Sequence, residues 1–163
     1  MFKTLNLEKP KIFNFPDNQM DTIPLLKIIK TIEKVISIKR PEIIFTHHEN
    51  CLNIDHQITF QAVITACRPI NNSSVKHILS FEIPSSSEWS LSKKKSFYPN
   101  YFIDITDQID KKIFLMKKFY GKELRKLPHS RSQKSIKSLS EYRGSMAGVR
   151  NAEAFYLNRS VID

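Results

Sequence analysis

Residues 43–56 of the chain read Ile43-Ile44-Phe45-Thr46-His47-His48-Glu49-Asn50-Cys51-Leu52-Asn53-Ile54-Asp55-His56. The stretch opens with a β-branched and aromatic run, which is typical of a strand covered on both faces in a parallel sheet. It then becomes polar, and a helical pattern of apolar residues begins near Gln57. Because α/β proteins place chemistry between the end of a buried strand and the start of a helix, this stretch is the centre of the candidate site.

Strands and helices alternate on both sides of this stretch. Thr22, with Pro24 in the first turn, is predicted to cap a helix that ends near Lys39. The pattern predicts strands over 42–46, 75–83, 101–105 and 152–158, and helices over 57–67, from Thr106 or Asp107 to Gly121, and from Ser132 to Gly144. The alternation indicates an α/β protein with a three-layer, Rossmann-like fold and a mainly parallel sheet.

Length and composition narrow the class of protein. The 163 residues predict a single domain over 1–163, but three glycines are few for the tight turns of a complete hydrolase domain, so part of the fold is expected to be missing. Cys51 and Cys67 are too few for a disulfide framework, which favours a cytoplasmic protein. No apolar run of 18 residues and no signal peptide are present, so no membrane span is predicted.

The chain is basic, with 26 Lys and Arg against 16 Asp and Glu and a net charge of +10. Such a charge suits nucleic acid, a membrane surface or an anionic substrate. The charges are scattered, however, with dense clusters only at Lys93–Lys95 and over 111–126, which favours solvated surfaces. Nucleic acid is not expected as a partner, because the sequence has no helix-turn-helix, zinc-finger or RNP-like string.

The motif Asn53-Ile54-Asp55-His56 has two interpretations on spacing alone. In one, His56 is a metal ligand and the neighbouring carboxylate of Asp55 orients or tunes it. In the other, Asn53 forms an Asx turn and caps the helix, and the histidine is incidental. A catalytic zinc needs three protein ligands, and this loop adds only His47 and His48 as candidates.

Further strings recur in order along the chain: Phe15-Pro16-Asp17, Ala66-Cys67-Arg68-Pro69, Phe81-Glu82-Ile83-Pro84-Ser85-Ser86-Ser87-Glu88-Trp89, Phe97-Tyr98-Pro99-Asn100-Tyr101-Phe102, Pro128-His129-Ser130-Arg131-Ser132, Arg143-Gly144 and Ala152-Glu153-Ala154-Phe155. Together with residues 46–56, they resemble the PIG-L deacetylase family of LmbE-like, zinc-dependent N-deacetylases. The resemblance implies a hydrolase that removes the N-acetyl group from an amino sugar such as N-acetylglucosamine, with nucleotide- or lipid-linked sugars among the candidates.

The resemblance also implies roles for the residues of the central loop, which comprises residues 46–56. His56 corresponds to the third zinc ligand, and Asp55 to the residue that tunes the acid/base group. Asn53 stands where many relatives have a histidine, and its amide is suited to donating to an oxyanion. Cys51 stands where this branch of the family more often has an aspartate.

Five residues outside the central loop, together with Asp17 in the family loop near the start, are candidates for substrate binding. Glu88 and Trp89 are expected near the sugar, unless the tryptophan simply anchors its loop. His129 and Arg131 suit a phosphate or carboxylate, with solvated basic groups as the alternative. Arg68 is expected either to hold an anionic group or to bond the loop before His56.

One family motif has no counterpart in the chain. The family begins with a strand that leads into His-Pro-Asp-Asp-Glu, which supplies two zinc ligands and the carboxylate that activates water. Pro16-Asp17-Asn18 is the nearest string. The fold is therefore expected to lack its first βα unit. Adjacent histidines on a strand point to opposite sides, so His47 and His48 do not replace the missing ligands together. The alternative to an active deacetylase is a non-catalytic remnant, or a module that works with a partner chain or as a homo-oligomer.

Overall fold

The structure is a computed structural model that describes residues 3–70, 73–91 and 96–162. In this part of the chain, helices α1 Leu25–Lys39, α2 Ile54–Ala66, α3 Ile109–Tyr120 and α4 Gln133–Ala147 accompany strands β1 Ile43–His47, β2 His77–Phe81, β3 Tyr101–Asp104 and β4 Ala152–Arg159, and short 3₁₀ turns cover Lys3–Leu5 and Met20–Thr22. The α/β class predicted from the sequence is confirmed. The Lys93–Lys95 cluster lies outside the described residues.

The sheet has the strand order β1-β2-β4-β3. β1 and β2 are parallel, and Phe45 lies opposite Leu79. β4 runs antiparallel to β2, with Phe155 opposite Phe81. The sheet is therefore mixed, because β4 is antiparallel to β2, whereas β1 and β2 are parallel. The central loop begins at the end of β1.

Two compact units divide the chain. The first contains the described parts of 1–14 together with Phe102–Glu153, and the second contains those of Phe15–Tyr101 and Ala154–Asp163. The central loop belongs to the second unit. The prediction of a single domain over 1–163 remains a prediction.

The core of the second unit forms where α1 and α2 pack beside β1. Val63 of α2 and Cys67, which follows this helix, are buried against Val75 and Ile78. Ile28 and Ile29 of α1 are buried against Ala62. Arg159 adds polar bonds at the edge of this core. Its guanidinium donates to the carbonyl oxygens of Cys67 at 2.7 Å and Val75 at 3.0 Å. Val75 lies just before β2. The strand itself, His77–Phe81, is shorter than the predicted 75–83.

Helix boundaries differ from the prediction at several places. α1 begins at Leu25 after Pro24 and has no side-chain cap, so the expected cap at Thr22 is wrong. α2 begins at Ile54, three residues before the expected start, because Asn53 caps it. α3 begins at Ile109, after the predicted caps Thr106 and Asp107. The cap at Ser132 is confirmed, since its side chain accepts a hydrogen bond from Ser135 N–H.

The first unit contains a close backbone contact at Gly144. α4 continues past the predicted end at Gly144 to Ala147, and Gly148 then takes a left-handed conformation with φ +72°. The chain turns back over the helix, so a Cβ added at Gly144 would lie 2.6 Å from the carbonyl oxygen of Val149 and 2.8 Å from that of Arg150. Asn151 Nδ2 holds the returning segment by donating to Ser140 Oγ at 2.9 Å.

No helix in the described part of the chain is long and apolar enough to cross a membrane.

Candidate active site

His56 lies in the first turn of α2, and Asn53 fixes this turn. The side-chain oxygen of Asn53 accepts hydrogen bonds from the backbone N–H groups of Asp55 at 2.8 Å and His56 at 3.3 Å. This is the Asx-type helix cap of the second interpretation, so that part of it is confirmed. The side-chain nitrogen of Asn53 donates to Asn18 Oδ1 at 2.7 Å. The oxygen and the nitrogen of the Asn53 side-chain amide are therefore both hydrogen-bonded to other groups of the protein.

Asp55 connects the start of α2 to a loop 35 to 37 residues earlier in the chain. Its carboxylate accepts hydrogen bonds from the backbone N–H groups of Asn18 at 2.6 Å and Met20 at 2.9 Å. Asp17, at the edge of the same loop, accepts a bond from the Asn18 side chain at 3.1 Å. The Asn53-Ile54-Asp55 motif therefore positions residues 17–20, and Asp17 is exposed on that loop.

The imidazole of His47, at the end of β1, stacks on that of His56. The ring centroids are 4.1 Å apart, with only 10° between the planes. Burial, with a smaller contribution from the His56 charge, lowers the pKa of His47 to about 4. His47 Nδ1 is buried and has no hydrogen-bond partner among the described residues. A proton added there would have no acceptor, so His47 is neutral at neutral pH.

This shift predicts a loss of stability in acid. The unfolded His47 has a pKa of 6.5 and the folded one of about 4, so between these values the unfolded chain binds more protons. We expect this residue to contribute a decrease of about 1–2 kcal/mol in the free energy of unfolding as the pH falls through this range, and none above it. Solvent screens part of this effect, because the His47 ring is partly exposed.

Urea titrations across this pH range measure the effect. His47→Phe keeps a flat ring beside His56 and removes the titrating group, so the fall in stability should become shallower. His77→Phe is the matched control, because His77 lies at the other end of the β1–β2 pair. If the stability of His47→Phe depended on pH as steeply as that of the wild type, His47 would not be the group responsible for the loss in acid.

Cys51 is fully buried beside the edge of the His56 ring. Its sulfur lies 3.0 Å from His56 Nδ1, 2.9 Å from Ser86 Oγ and 3.7 Å from Ser87 Oγ. Burial opposes ionisation of this thiol, but the hydrogen bonds from His56, Ser86 and Ser87 outweigh it and lower its pKa to about 7. Burial instead raises the pKa of Cys67 to about 11, against a weaker opposing effect of Arg159. Both thiols are free of disulfide bonds.

His48 has surroundings different from those of its neighbour His47. It is buried, its Nδ1 accepts a bond from Asn50 N–H at 3.3 Å, and its ring meets Phe97 edge-on. In the described residues, no group of three His, Cys, Asp or Glu side chains could hold a metal ion. Cys51 and Asp55, the potential ligands nearest to His56 in sequence, bond to protein groups instead. These residues alone do not fit a zinc site, and zinc would need ligands from elsewhere.

The loop after β2 positions Glu88 and Trp89. The Glu88 carboxylate accepts bonds from the backbone N–H groups of Ser85 at 2.6 Å and Ser86 at 3.2 Å, so it orders its own loop. Ser86 in turn reaches the central loop, because its carbonyl oxygen accepts a bond from Leu52 N–H. The Trp89 side chain is 48% exposed, so it does not anchor the loop as a fully buried residue would.

Arg68 lies beyond the end of α2 opposite to His56. Ten residues of helical rise, roughly 15 Å, separate His56 from Ala66 at the end of α2. Arg68 Nε donates to the carbonyl oxygen of Thr65, and the guanidinium lies 3.9 Å from Glu33. The structure therefore does not bring Arg68 to the loop before His56.

His129 and Arg131 belong to the first unit. His129 Nδ1 accepts a bond from Arg131 N–H at 3.0 Å, and the Arg131 guanidinium donates to Glu123 at 2.9 Å. The two residues thus form one local cluster at the start of α4. The positive charge of Arg131 is offset by the carboxylate of Glu123.

Sequence reasoning missed Asn18 and Ser86 as partners of the central loop. Each bonds to this loop from more than 30 residues away in sequence. The only signals were that Asn18 follows the family-like string Phe15-Pro16-Asp17 and that Ser86 lies within the string over 81–89.

Comparison with protein families identifies the segment that carries His56. Residues 1–67 match the PIG-L family model. Its description is GlcNAc-PI de-N-acetylase. The match contains Asp17, Cys51 and the whole Asn53-to-His56 motif, so the resemblance inferred from the motifs is confirmed there. No curated protein sequence matches the chain.

Solved structures share the fold. N,N'-diacetylchitobiose deacetylase from Pyrococcus horikoshii, complexed with its inhibitor MPG, is 17% identical with a TM-score of 0.71, covering 97% of this chain and 60% of its own. The conserved protein TT1542 from Thermus thermophilus is 16% identical with a TM-score of 0.71, covering 99% of this chain and 71% of its own. This chain therefore spans about 60% of the length of the deacetylase.

A third structural relative limits what the fold implies. GalB, the 4-carboxy-2-hydroxymuconate hydratase from Pseudomonas putida, is 17% identical with a TM-score of 0.63, covering 85% of this chain and 60% of its own. A hydratase and a deacetylase thus share this architecture. The PIG-L match, rather than the fold, is what points to deacetylase chemistry.

Proposed function

We propose that this chain forms part of the active site of a hydrolase that removes the N-acetyl group from an N-acetylated amino sugar. The observation that carries the proposal is that contacts on two sides fix the position of the His56 ring. Its ring is held in the first turn of α2 by Cys51 at Nδ1 and by His47 on one face, within the segment that matches the PIG-L model. A ring fixed on two sides offers its remaining nitrogen, Nε2, in a defined direction.

The neighbouring residues have supporting roles in this proposal. Asn53 and Asp55 act as positioning residues, since their side chains fix the turn of His56 and the loop over 17–20. Asp17 on that loop is an exposed acceptor for a sugar hydroxyl. The partly exposed indole of Trp89 is suited to stacking on a sugar face. His129 and Arg131, in the first unit, are suited by their chemistry to an anionic group on the substrate.

Zinc is not assigned to these residues alone. They supply His56 and lack a set of three ligands among the positions described. We therefore infer that any metal in the active enzyme also binds residues outside this set, either in the same polypeptide or in a partner chain.

A second candidate function is a substrate-binding module without activity of its own. The lack of a three-ligand group in the described part favours it. The chain spans about 60% of the length of the solved deacetylase, which is consistent with either candidate function. In this case the chain binds an N-acetylated sugar and hydrolysis begins only with a partner chain, or with a homo-oligomer that brings further ligands together.

Acetate release tests the proposal. The purified chain is incubated with N,N'-diacetylchitobiose and with N-acetylglucosamine, with and without added zinc, and acetate and bound zinc are measured. If the chain is active, His56→Gln should lower acetate release by about a hundredfold or more. His77→Gln, the same change at a distant histidine, should leave it unchanged.

The result also separates the two candidates. A folded chain that releases no acetate but shows sugar-dependent changes in Trp89 fluorescence supports the binding module. A folded chain that neither releases acetate nor binds either sugar contradicts both candidates. Equal acetate release by the wild type and His56→Gln contradicts the role given to His56.

A further inference from the structure

The positive charge of the chain is concentrated in the first unit. Residues 1–14 and Phe102–Glu153 include 15 of the 26 Lys and Arg but only 7 of the 16 Asp and Glu, so this unit carries +8 of the total charge of +10. The second unit, with 11 Lys and Arg against 9 Asp and Glu, carries +2. Charge of one sign gathered in one compact part of a chain favours an anionic partner for that part.

Helix α3 presents some of this charge around an aromatic ring. Lys111, Phe114, Lys117 and Lys118 are all exposed, and steps of three and four residues place them on one side of the helix. We call these four residues the α3 patch. Phe114 is 56% exposed at its centre. Asp110, in the turn before, is an acidic neighbour.

The Phe114 ring does not belong to the apolar side of α3. That side carries Ile109, which is buried, and Ile113 and Met116, which are half-buried. Phe114 instead lies among lysines, and Lys118 Nζ is 5.5 Å from its ring centroid. An aromatic side chain left in water at this position is therefore available to a partner.

The lysines of the α3 patch form no ion pair with a carboxylate in the described part of the chain. The salt bridges nearby join Lys112 to Glu153 and Arg131 to Glu123, and neither uses a residue of the patch. The charges of the α3 patch are thus not neutralised by the protein itself. They can act together on an external anion.

We propose that the α3 patch binds the surface of an anionic lipid bilayer. The lysines lie against the headgroups, and the Phe114 ring enters the boundary between headgroups and acyl chains. Lysine suits this role, since a compact charge needs no fixed geometry to be attracted to a negative surface. Aromatic rings flanked by basic residues are typical of helices that lie in this boundary. The chain then lies on the bilayer without crossing it.

Two observations favour a lipid surface over single-stranded nucleic acid. Bases stack on the open face of an aromatic ring, but the Lys118 ammonium lies over the ring of Phe114. Leu127, later in the same basic segment, is 56% exposed and suits the acyl chains of a lipid, which nucleic acid lacks. The segment over 111–126 also holds six lysines and one arginine, whereas nucleic-acid recognition favours arginine.

Co-sedimentation of the purified chain with vesicles tests the proposal. The vesicles are phosphatidylcholine alone, or phosphatidylcholine with one-third phosphatidylserine. We expect the chain to bind the anionic vesicles at low salt, to be released at about 1 M salt, and not to bind phosphatidylcholine alone. Equal binding to both kinds of vesicle, or to neither, would overturn the proposal. Neither sugar nor acetate is measured, so this outcome is independent of the proposed function.

Variants of the α3 patch locate the binding surface. Each lysine near the membrane contributes about fivefold to binding, so the double variant Lys117→Gln/Lys118→Gln should bind the anionic vesicles roughly twentyfold more weakly. Lys134→Gln/Lys137→Gln is the matched control, because it removes the same charge from exposed positions on α4 of the same unit. Its binding should change by less than about threefold at 0.1 M salt. Equal losses in the two double variants would overturn the assignment to α3.

Phe114→Ala tests the ring separately from the charge. The side chain is largely exposed, so the variant should fold, which circular dichroism verifies, and its binding to anionic vesicles should fall about fivefold. Undiminished binding would contradict insertion of the ring. A single-stranded oligonucleotide provides the last comparison. If it bound more tightly than the vesicles and lost affinity in Lys117→Gln/Lys118→Gln, the α3 patch would be a nucleic-acid surface and the proposal would be wrong.

Discussion

Gly144→Ala is expected to lower the free energy of unfolding by about 3 kcal/mol, because the new methyl group meets backbone atoms that have no room to move. The carbonyl oxygens of Val149 and Arg150 lie 2.6 and 2.8 Å from the position of the added Cβ. The returning segment is itself held by the bond from Asn151 to Ser140. The higher helix propensity of alanine offsets only about 1 kcal/mol of the cost.

Gly148→Ala is the matched control for this prediction. Gly148 has φ +72°, and no atom lies within 4 Å of an added Cβ, so only backbone strain opposes the change. That strain costs about 1 kcal/mol. Urea titrations of both variants measure the difference. A loss in Gly144→Ala no larger than that in Gly148→Ala would contradict the close contact.

Asp55→Ala is expected to cost about 2–3 kcal/mol, since it leaves the N–H groups of Asn18 and Met20 without their charged acceptor. The loss should be local to residues 17–20. Amide hydrogen exchange at Asn18 and Met20 should accelerate far more than exchange in α1. Asp55→Asn should have a smaller effect, because its one remaining side-chain oxygen still accepts a hydrogen bond.

Asp17→Asn is the control for the loop. Its carboxylate is exposed and accepts a bond only from the neighbouring Asn18 side chain in the described structure, so the change should cost less than about 0.5 kcal/mol. Unchanged exchange at Asn18 and Met20 in Asp55→Ala would mean that the carboxylate does not hold this loop.

The sequence predicted elements whose causes are local. The apolar β-branched run gives β1, the helical spacing of apolar residues gives α2, and Ser132 caps α4 as expected. The boundaries were predicted less well, because short polar side chains compete to cap a helix. Asn53, rather than a residue near Gln57, decides where α2 begins.

The remaining features depend on contacts between distant residues. Nothing near Asp55 in the sequence indicates that its carboxylate binds the backbone of Asn18, and nothing near β4 indicates that it runs antiparallel to β2. Glu88 suited a sugar hydroxyl by its chemistry, yet its carboxylate is bonded to Ser85 and Ser86. The PIG-L motifs located the candidate site, whereas the partner of each side chain within it required coordinates.

The bonds of Arg159 have a consequence for the order in which the chain folds. This residue reaches back over 92 and 84 positions to the carbonyl oxygens of Cys67 and Val75. During synthesis, Cys67 and Val75 leave the ribosome long before Arg159 is made. The unit that contains His56 therefore cannot pair β4 with β2 until Arg159 has been made, and contacts of such wide separation slow folding. Until then, β2 has β1 beside it and an open edge where β4 will pair.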